Sequence, residues 1–386
     1  MEISGRAAMR ICVVGGVADR GGAPSPRRRL TPETILVDGL RAAGVEVFTA
    51  SHSSFAPRDE YDIVHVHHVG RGAFRMASAE NRSMFVFTGH NGQMLCGYER
   101  NPIRRAAFRW LVGRCDAAVA LSSAEAAFLR RIAPAGKPIA VIPNGVATHL
   151  YSTPEDARVP AEPPQILYVG QLIALKGVDV LLYAMQRLLQ QRKATLVLAY
   201  HGGELEACYR QLAERLGISE HVRFAGFVCP QELGPTYRAA SVLVLPSYAE
   251  SLPSVITEAM LCGLRVVATN VGGIPYQLGP FGALVPPGNA DALASALVEA
   301  LEHPLTPHRR AEMAEYARGA FSMRNMIESH LALYEQTLRL KKAGSAARRV
   351  ASAAIRVGVA AYWSTVRRAR PSAPLLSASA PQKEAP

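Results

Sequence analysis
The sequence predicts an α/β protein of two Rossmann-like halves whose parallel sheets face each other across a cleft. Three observations carry that prediction. The chain has 386 residues, more than one hydrophobic core usually organises, and 49% of them are apolar, enough for two domains. Short apolar runs alternate with segments of helical period, the mark of βαβ units and parallel strands. The alternation breaks at a polar, Pro-rich stretch and then starts again.

In the first half, residues 1–150, strands are expected at 10–14, 45–50, 62–66, 84–88, 117–121 and 139–142. Between them, 31–43 (Leu36, Val37 and Leu40 at helical spacing) and 123–132 read as helices, each opening with Thr or Ser as an N-cap. Residues 151–164, within ATHLYSTPEDARVPAEPP, form the expected linker. The second half, 165–322, repeats the pattern with strands at 166–169, 195–200, 222–224, 242–245 and 265–269. Its helices are expected at 178–190, 204–216, 231–239, 253–262 and 290–301. A last helix, 323–340, and a basic tail, 341–386, complete the chain. Open parallel sheets bind ligands outside the carboxyl ends of their strands, so functional residues are expected just after strands.

The formal net charge of +12 first suggests nucleic acid, but from Leu340 onward nine Lys/Arg face one acid, so +8 of it lies in the tail. The rest is only mildly basic, and no zinc-finger or RNP-like pattern accompanies the charge, so no nucleic-acid partner is expected. The six cysteines are scattered, without a C-x-x-C pair, which points to a reduced cytoplasmic protein without a structural metal. The first residues lack an apolar signal region, and no uninterrupted apolar stretch is long enough to span a bilayer.

Two glutamates stand out after the strand VLVLPS. Glu250 and Glu258 bracket seven residues in ESLPSVITE. Pro253 fits the first turn of a helix, where a missing N–H is no loss, leaving the N–H groups of Ser254, Val255 and Ile256 to bind an anion such as a diphosphate. Glu258 could accept hydrogen bonds from ribose hydroxyls and Glu250 could address a sugar ring. Taken alone, two such glutamates are far more often a surface residue and a helix-stabilising one in the first turn.

The surrounding blocks are more specific. YDIVHVH (61–67), CDAAVALSSAEAAFL (115–129), VIPNGV (141–146), ILYVGQLIALKGVDVLL (166–182), VRFAGFV (222–228), LPSYAESLPSVITEAM (245–260) and GLRVVATNVGGIP (263–275) occur in order. Together they resemble the family 4 glycosyltransferases, whose GT-B fold pairs two Rossmann-like domains. The resemblance implies a retaining, metal-independent transferase using a nucleotide-sugar donor, with a glycan or lipid-linked acceptor in cell-surface polysaccharide or glycoconjugate synthesis. It assigns catalysis to Lys176, Glu250, His90 and Gln171, and donor binding to Glu258, Gly21, Gly22, Val228, Ser251, Leu252, Pro253, Ser254 and Val255. Lys176 is implied to neutralise the phosphate released as the sugar bond breaks. His90, in VFTGHNG, is implied to lie beside the donor sugar, and the 323–340 helix to cross back to the first domain.

The chain departs from the family at two places. Gln171 stands where Arg is usual, giving a hydrogen-bond donor without charge, and Tyr276 stands where Glu is frequent. Gly15 and Gly16 compete with Gly21 and Gly22 for the glycine pair of the first loop. His65 and His67 alternate on one strand face, but the pattern supplies no third metal ligand, and no D-x-D is present. No cofactor is expected. The uncharged Gln171 keeps a non-catalytic sugar-nucleotide binder in view, and an epimerase or phosphorylase shares the architecture. In the tail, Ile355, Val359, Tyr362, Trp363 and Val366 form one helical stripe flanked by Arg349, Arg356 and Arg367, which suits peripheral contact with an anionic membrane surface.

Overall fold
Strand β1 (Arg10–Val14) is apolar from Ile11 onward, and those four residues are buried because helices cover both faces of the sheet it belongs to. The structure is a computed structural model that describes residues 9–15, 31–57, 59–80, 83–90, 101–151 and 161–343. Gly16, Gly21, Gly22, the basic run at 27–29 and the tail from 344 lie outside the described residues.

The first sheet contains β1, β2 (Glu46–Ala50), β3 (Ile63–His67), β4 (Met84–Thr88), β5 (Ala117–Ala120) and β6 (Ile139–Val141) in the order β2-β1-β3-β4-β5-β6. All of its pairings are parallel. The second sheet contains β7 (Gln165–Gly170), β8 (Thr195–Tyr200), β9 (Val222–Gly226), β10 (Val242–Leu245), β11 (Arg265–Thr269) and β12 (Ala283–Val285) in the order β12-β11-β10-β7-β8-β9, again all parallel. The chain is therefore an α/β protein with two six-stranded parallel sheets of the GT-B kind. The order reverses between β1 and β3 in one sheet and between β7 and β10 in the other, and these crevices are where open α/β sheets bind ligands.

The period-two alternation of strands sorts the first half into two cores. Cys12, Val14, Val64 and Val66 pack with Phe85, Phe87, Phe108 and Leu111 on one face. Ile11, Val13 and Ile63 pack on the other with Leu36 and Leu40 of α1 (Pro32–Ala42) and with Ile327 and Tyr334 of the last helix. Thr31 caps α1 in a reciprocal capping box with Thr34, and Pro32 takes the first helical position.

Several elements depart from the sequence-based expectation. Helices α2 (Arg71–Ser78) and α3 (Pro102–Arg114), neither anticipated, precede α4 (Ser123–Ile132); α2 is short but strongly amphipathic, burying Ala73, Phe74, Met76 and Ala77, whereas α3 has only a weak period. In α3 only Phe108, Leu111 and Val112 are buried, and four arginines interrupt its apolar face. In the second half, α5 (Val178–Leu189), α6 (Glu206–Arg215), α7 (Pro230–Ala239), α8 (Ser254–Leu261) and α10 (Ala290–Glu302) answer to expected helices, while β12, the short α9 (Ile274–Leu278) and α11 (Pro307–Phe321) were not anticipated. The expected linker begins too early, because Tyr151 is buried in the second half's core. Strand β3 extends to His67, and Ser122 rather than Ser123 caps α4.

Helix α12 (Met323–Ala343) returns to the first half, running three residues past the expected end. Its start is fixed where the Val146 N–H donates to the Phe321 carbonyl at 2.9 Å and the Met323 N–H donates to the Val146 carbonyl at 3.0 Å. Ile327 then lies against Gly39 of α1, at a distance that only a residue without Cβ allows.

Candidate active site
A cleft of about 370 Å³ runs between the two halves and is lined from both switch points. On the second-half side, β7 ends at Gly170, and a 3-10 turn, Ala174–Lys176, follows. Gly177 has a φ of +63° and passes so close to the Pro246 carbonyl that a Cβ would overlap it. The Tyr248 N–H donates to the Leu175 carbonyl at 2.8 Å, clamping the loop after β7 to the loop after β10. These contacts place Lys176 Nζ 2.6 Å from Glu250 Oε1, which also accepts from Ser247 Oγ at 2.7 Å. Glu250 is 8% exposed, so its charge is held by paired donors rather than by water.

The loop carrying Glu250 is backed by the glycines of NVGGIP. Gly272 has a φ of +55° and abuts the Glu250 carbonyl, and Gly273 abuts that of Ser251. Both strain and overlap oppose any side chain at 272. Gly272→Ala is expected to lower transfer at least tenfold and to destabilise the fold by about 2 kcal/mol or more. Enzyme assay and urea unfolding check this; a variant matching the parent in both would separate the loop's position from its glycine support.

The neighbouring helix start is built differently from the expectation. Pro253 is the N-cap of α8, and the Ile256 N–H donates back to its carbonyl at 3.1 Å, so Ile256 is not available to an anion. Ser254 and Val255 line the cleft. Gln277 Nε2 braces the turn, donating to the Pro253 carbonyl at 3.0 Å and to Thr257 Oγ1 at 2.7 Å. Glu258 accepts from the Tyr237 hydroxyl at 2.7 Å; burial, followed by the nearby carboxylate, pushes that phenol well above its ordinary pKa, so it remains a donor.

On the first-half side, His90 and His68 follow β4 and β3 in left-handed backbone conformations, with φ of +49° and +63°. Such conformations are strained for residues other than glycine and gather at functional sites. His68 Nε2 lies 2.7 Å from Glu33 Oε1 in the first turn of α1, and His67 Nδ1 lies 2.7 Å from His90 Nε2. Glu33, His67 and His90 present ligand atoms within 4.8 Å of one another, so a third potential metal ligand exists that the strand pattern did not supply. The facing nitrogens of His67 and His90 are, however, already engaged with each other. The halves also touch directly, Asn144 Nδ2 donating to the Leu252 carbonyl at 2.9 Å.

Lys176, Gln171, Glu250, His90, Glu258, Val228, Leu252, Pro253, Ser254 and Val255 all line the cleft. Ser251 does not; its carbonyl is turned onto Gly273. Gly21 and Gly22 fall outside the described residues, whereas Gly15 closes β1 against the Glu33 carboxylate. Glu33, His68, Asn144 and Phe227 are cleft residues that the sequence reading passed over. His68 and Phe227 directly follow or end strand runs, the signal that identified the others.

Residues 47–150 match the family model for Glycosyltransferase Family 4, and residues 152–320 match that for Glycosyl transferases group 1. A D-inositol 3-phosphate glycosyltransferase of Corynebacterium jeikeium is 31% identical over 75% of this chain and 76% of its own length. One from Corynebacterium urealyticum is 31% identical over 80% of this chain and 79% of its own. Among solved structures, sucrose-phosphate synthase from Thermosynechococcus elongatus superposes with a TM-score of 0.73 at 23% identity, covering 86% of this chain and all of that one. Anabaena Alr3699/HepE, solved with UDP and glucose, gives 0.64 at 20% identity, covering 85% of this chain and all of that one.

Proposed function
The chain belongs to the family 4 glycosyltransferases, and from that premise we propose that it moves a sugar from a nucleotide diphosphate held by the second half to a glycan or lipid-linked hydroxyl gathered by the first. It is a retaining, nucleotide-sugar-dependent GT-B transferase. The observation that carries the proposal is the Lys176–Glu250 pair at the second sheet's switch point, lining the same cleft as the strained His90 that follows β4. In the proposed reaction the bond from the sugar's anomeric carbon to the diphosphate oxygen breaks first. The electron pair stays on the phosphate, where Lys176, Gln171 and the start of α8 stabilise it, and the acceptor oxygen bonds from the same face. The acceptor's proton leaves to the departing phosphate.

Glu258 is assigned to the ribose and Glu250 to the sugar and to holding Lys176. Glu258→Ala is therefore expected to weaken nucleotide binding about tenfold, whereas Glu250→Ala mainly lowers kcat. Calorimetric titration with nucleotide and steady-state kinetics check this. Equal, mild effects of both substitutions would remove the assignment.

A second reading takes the acceptor from the relatives, whose names specify D-inositol 3-phosphate. Against it, Lys176 is the only Lys or Arg among the described residues lining the cleft, and it stands on the donor side. A panel of acceptors with and without phosphate separates the two readings.

Peripheral attachment to an anionic leaflet, assigned to the tail, gains support from α3, where Ile103 is 62% exposed beside the exposed Arg105 and Arg109. No helix among the described residues is long and apolar enough to cross a membrane. Removing 341–386 is expected to reduce co-sedimentation with phosphatidylserine vesicles several-fold; equal binding by the shortened chain refutes the tail's role.

A further inference from the structure
Three side chains meet on the first half's wall of the cleft, each brought by a different element. Glu33 stands in the first turn of α1, His67 ends β3 and His90 follows β4. They offer one carboxylate oxygen and two imidazole nitrogens that all lie within 4.8 Å of one another. Glu33 and His90 line the cleft, and His67 is buried.

The polar atoms of this cluster are poorly matched within the protein. Glu33 is 4% exposed, yet neither of its carboxylate oxygens has a hydrogen-bond partner among the described residues. His68 Nε2 lies 2.7 Å from Oε1, near enough for an ion pair but without the alignment of a hydrogen bond. His67 Nε2 is likewise buried and unpartnered. A buried carboxylate is costly unless aligned donors or a metal satisfy it.

Two imidazoles and one carboxylate suit zinc and its neighbours in the first transition series, and they leave one tetrahedral position open. Burial holds both histidines well below 6.5, so both are neutral at pH 7 and have nitrogen lone pairs to give. The 2.7 Å contact of His67 Nδ1 with His90 Nε2 does not close the cluster to a cation. Tetrahedral bonds of about 2.0 Å hold two nitrogens roughly 3.3 Å apart, so the pair opens by only about half an ångström. The one proton in that contact moves to the other nitrogen of its own ring, so either starting tautomer binds.

We propose that Glu33, His67 and His90 form a binding site for a divalent transition metal such as Zn²⁺, its open position toward the cleft. The departing phosphate is assigned to Lys176 and the start of α8 in the other half, so the metal takes no part in that step. It draws Glu33 and His90 onto itself and obstructs the acceptor's side of the cleft. Zn²⁺ is therefore an inhibitor of transfer; that consequence rests on the proposed function, and the binding does not.

The test is titration of chelator-treated, full-length protein with Co²⁺ and then Zn²⁺. The expected result is one equivalent of Co²⁺ with the strong visible absorption of four- or five-coordinate cobalt, its displacement by Zn²⁺, and loss of transfer as Zn²⁺ fills the site. Glu33→Gln, which keeps the shape of the side chain, and His67→Gln should each weaken binding by more than about tenfold, a loss already reached when an outer-shell partner is removed. His308→Ala, at the exposed His308–Glu312 pair, should leave binding unchanged. Circular dichroism verifies that each variant is folded. No equivalent bound at micromolar metal, or binding that survives both Glu33→Gln and His67→Gln in folded proteins, overturns the proposal. Binding that these two substitutions abolish, with transfer by the parent unaffected by Zn²⁺, upholds the site and counts only against its reach over the acceptor.

Discussion

Lys176→Ala is expected to slow transfer about a hundredfold, close to 3 kcal/mol of barrier, as for the loss of one preorganised stabilising group. Gln171 supplies no charge where its family relatives usually have Arg, so Lys176 carries the fixed positive charge of the described donor side. Its position is not left to a flexible side chain. Gly177 and the Leu175–Tyr248 hydrogen bond set the backbone, and Glu250 Oε1 holds the ammonium at 2.6 Å. Preorganisation of this kind is effective because little reorganises when the phosphate becomes a leaving group. Truncation also leaves Glu250 buried with Ser247 as its one remaining side-chain donor among those described, so the variant should lose stability as well. Gln171→Arg should preserve or raise the rate. Single-turnover measurements at saturating donor, with circular dichroism to verify folding, test this. An unchanged rate in Lys176→Ala removes the phosphate role of Lys176 and leaves the family membership intact.

Five of the six strands of the second sheet were readable because each is a mostly apolar run ending at a glycine, proline or polar residue, as in VLVL before Pro246 and Ser247. Lys176 and Glu250 were singled out by the resemblance of the blocks around them, and the structure puts both in the loops after β7 and β10 on the cleft. What escaped depended on contacts between distant segments. Glu33 is at N2 of α1, where an acid ordinarily just complements the helix dipole, and only the fold sets it against His68 and Gly15. Nothing local distinguishes His330 from a solvated residue in an amphipathic helix; its burial follows from α12 packing across β3. Helix α11 buries only Met313, Ala317 and Phe321, at spacings of four that charged neighbours dilute below recognition. Ser251 shows the converse failure, a residue inside a matching motif whose backbone is consumed by packing on Gly273.

Acidification is expected to destabilise this fold steeply. Burial, reinforced by neighbouring histidines, holds His65, His67 and His90 well below the ordinary value of 6.5, and burial takes His330 to about 4. Below pH 6.5 each of the four gains a proton in the unfolded chain but not in the folded one, so stability falls as pH falls. Glu125 runs the other way. Burial raises its carboxyl from 4.5 to about 7, so between these values the folded state holds a proton that the unfolded state lacks, and stability rises with acid. His52, also lowered chiefly by burial, adds to these four, so five histidines oppose the one carboxyl and the unfolded state takes up more protons than the folded one as pH falls below 6.5. Urea midpoints at a series of pH values from 7.5 downward check the slope. Glu125→Gln removes the one opposing group described here, so its stability should fall with acid more steeply than that of the parent. His330→Gln removes one of the five and should flatten the slope. Midpoints that stay level between pH 7 and 5 would mean that the histidines of β3, β4 and α12 are charged in the folded protein, and the neutral hydrogen-bonded row behind the cleft would have to be abandoned.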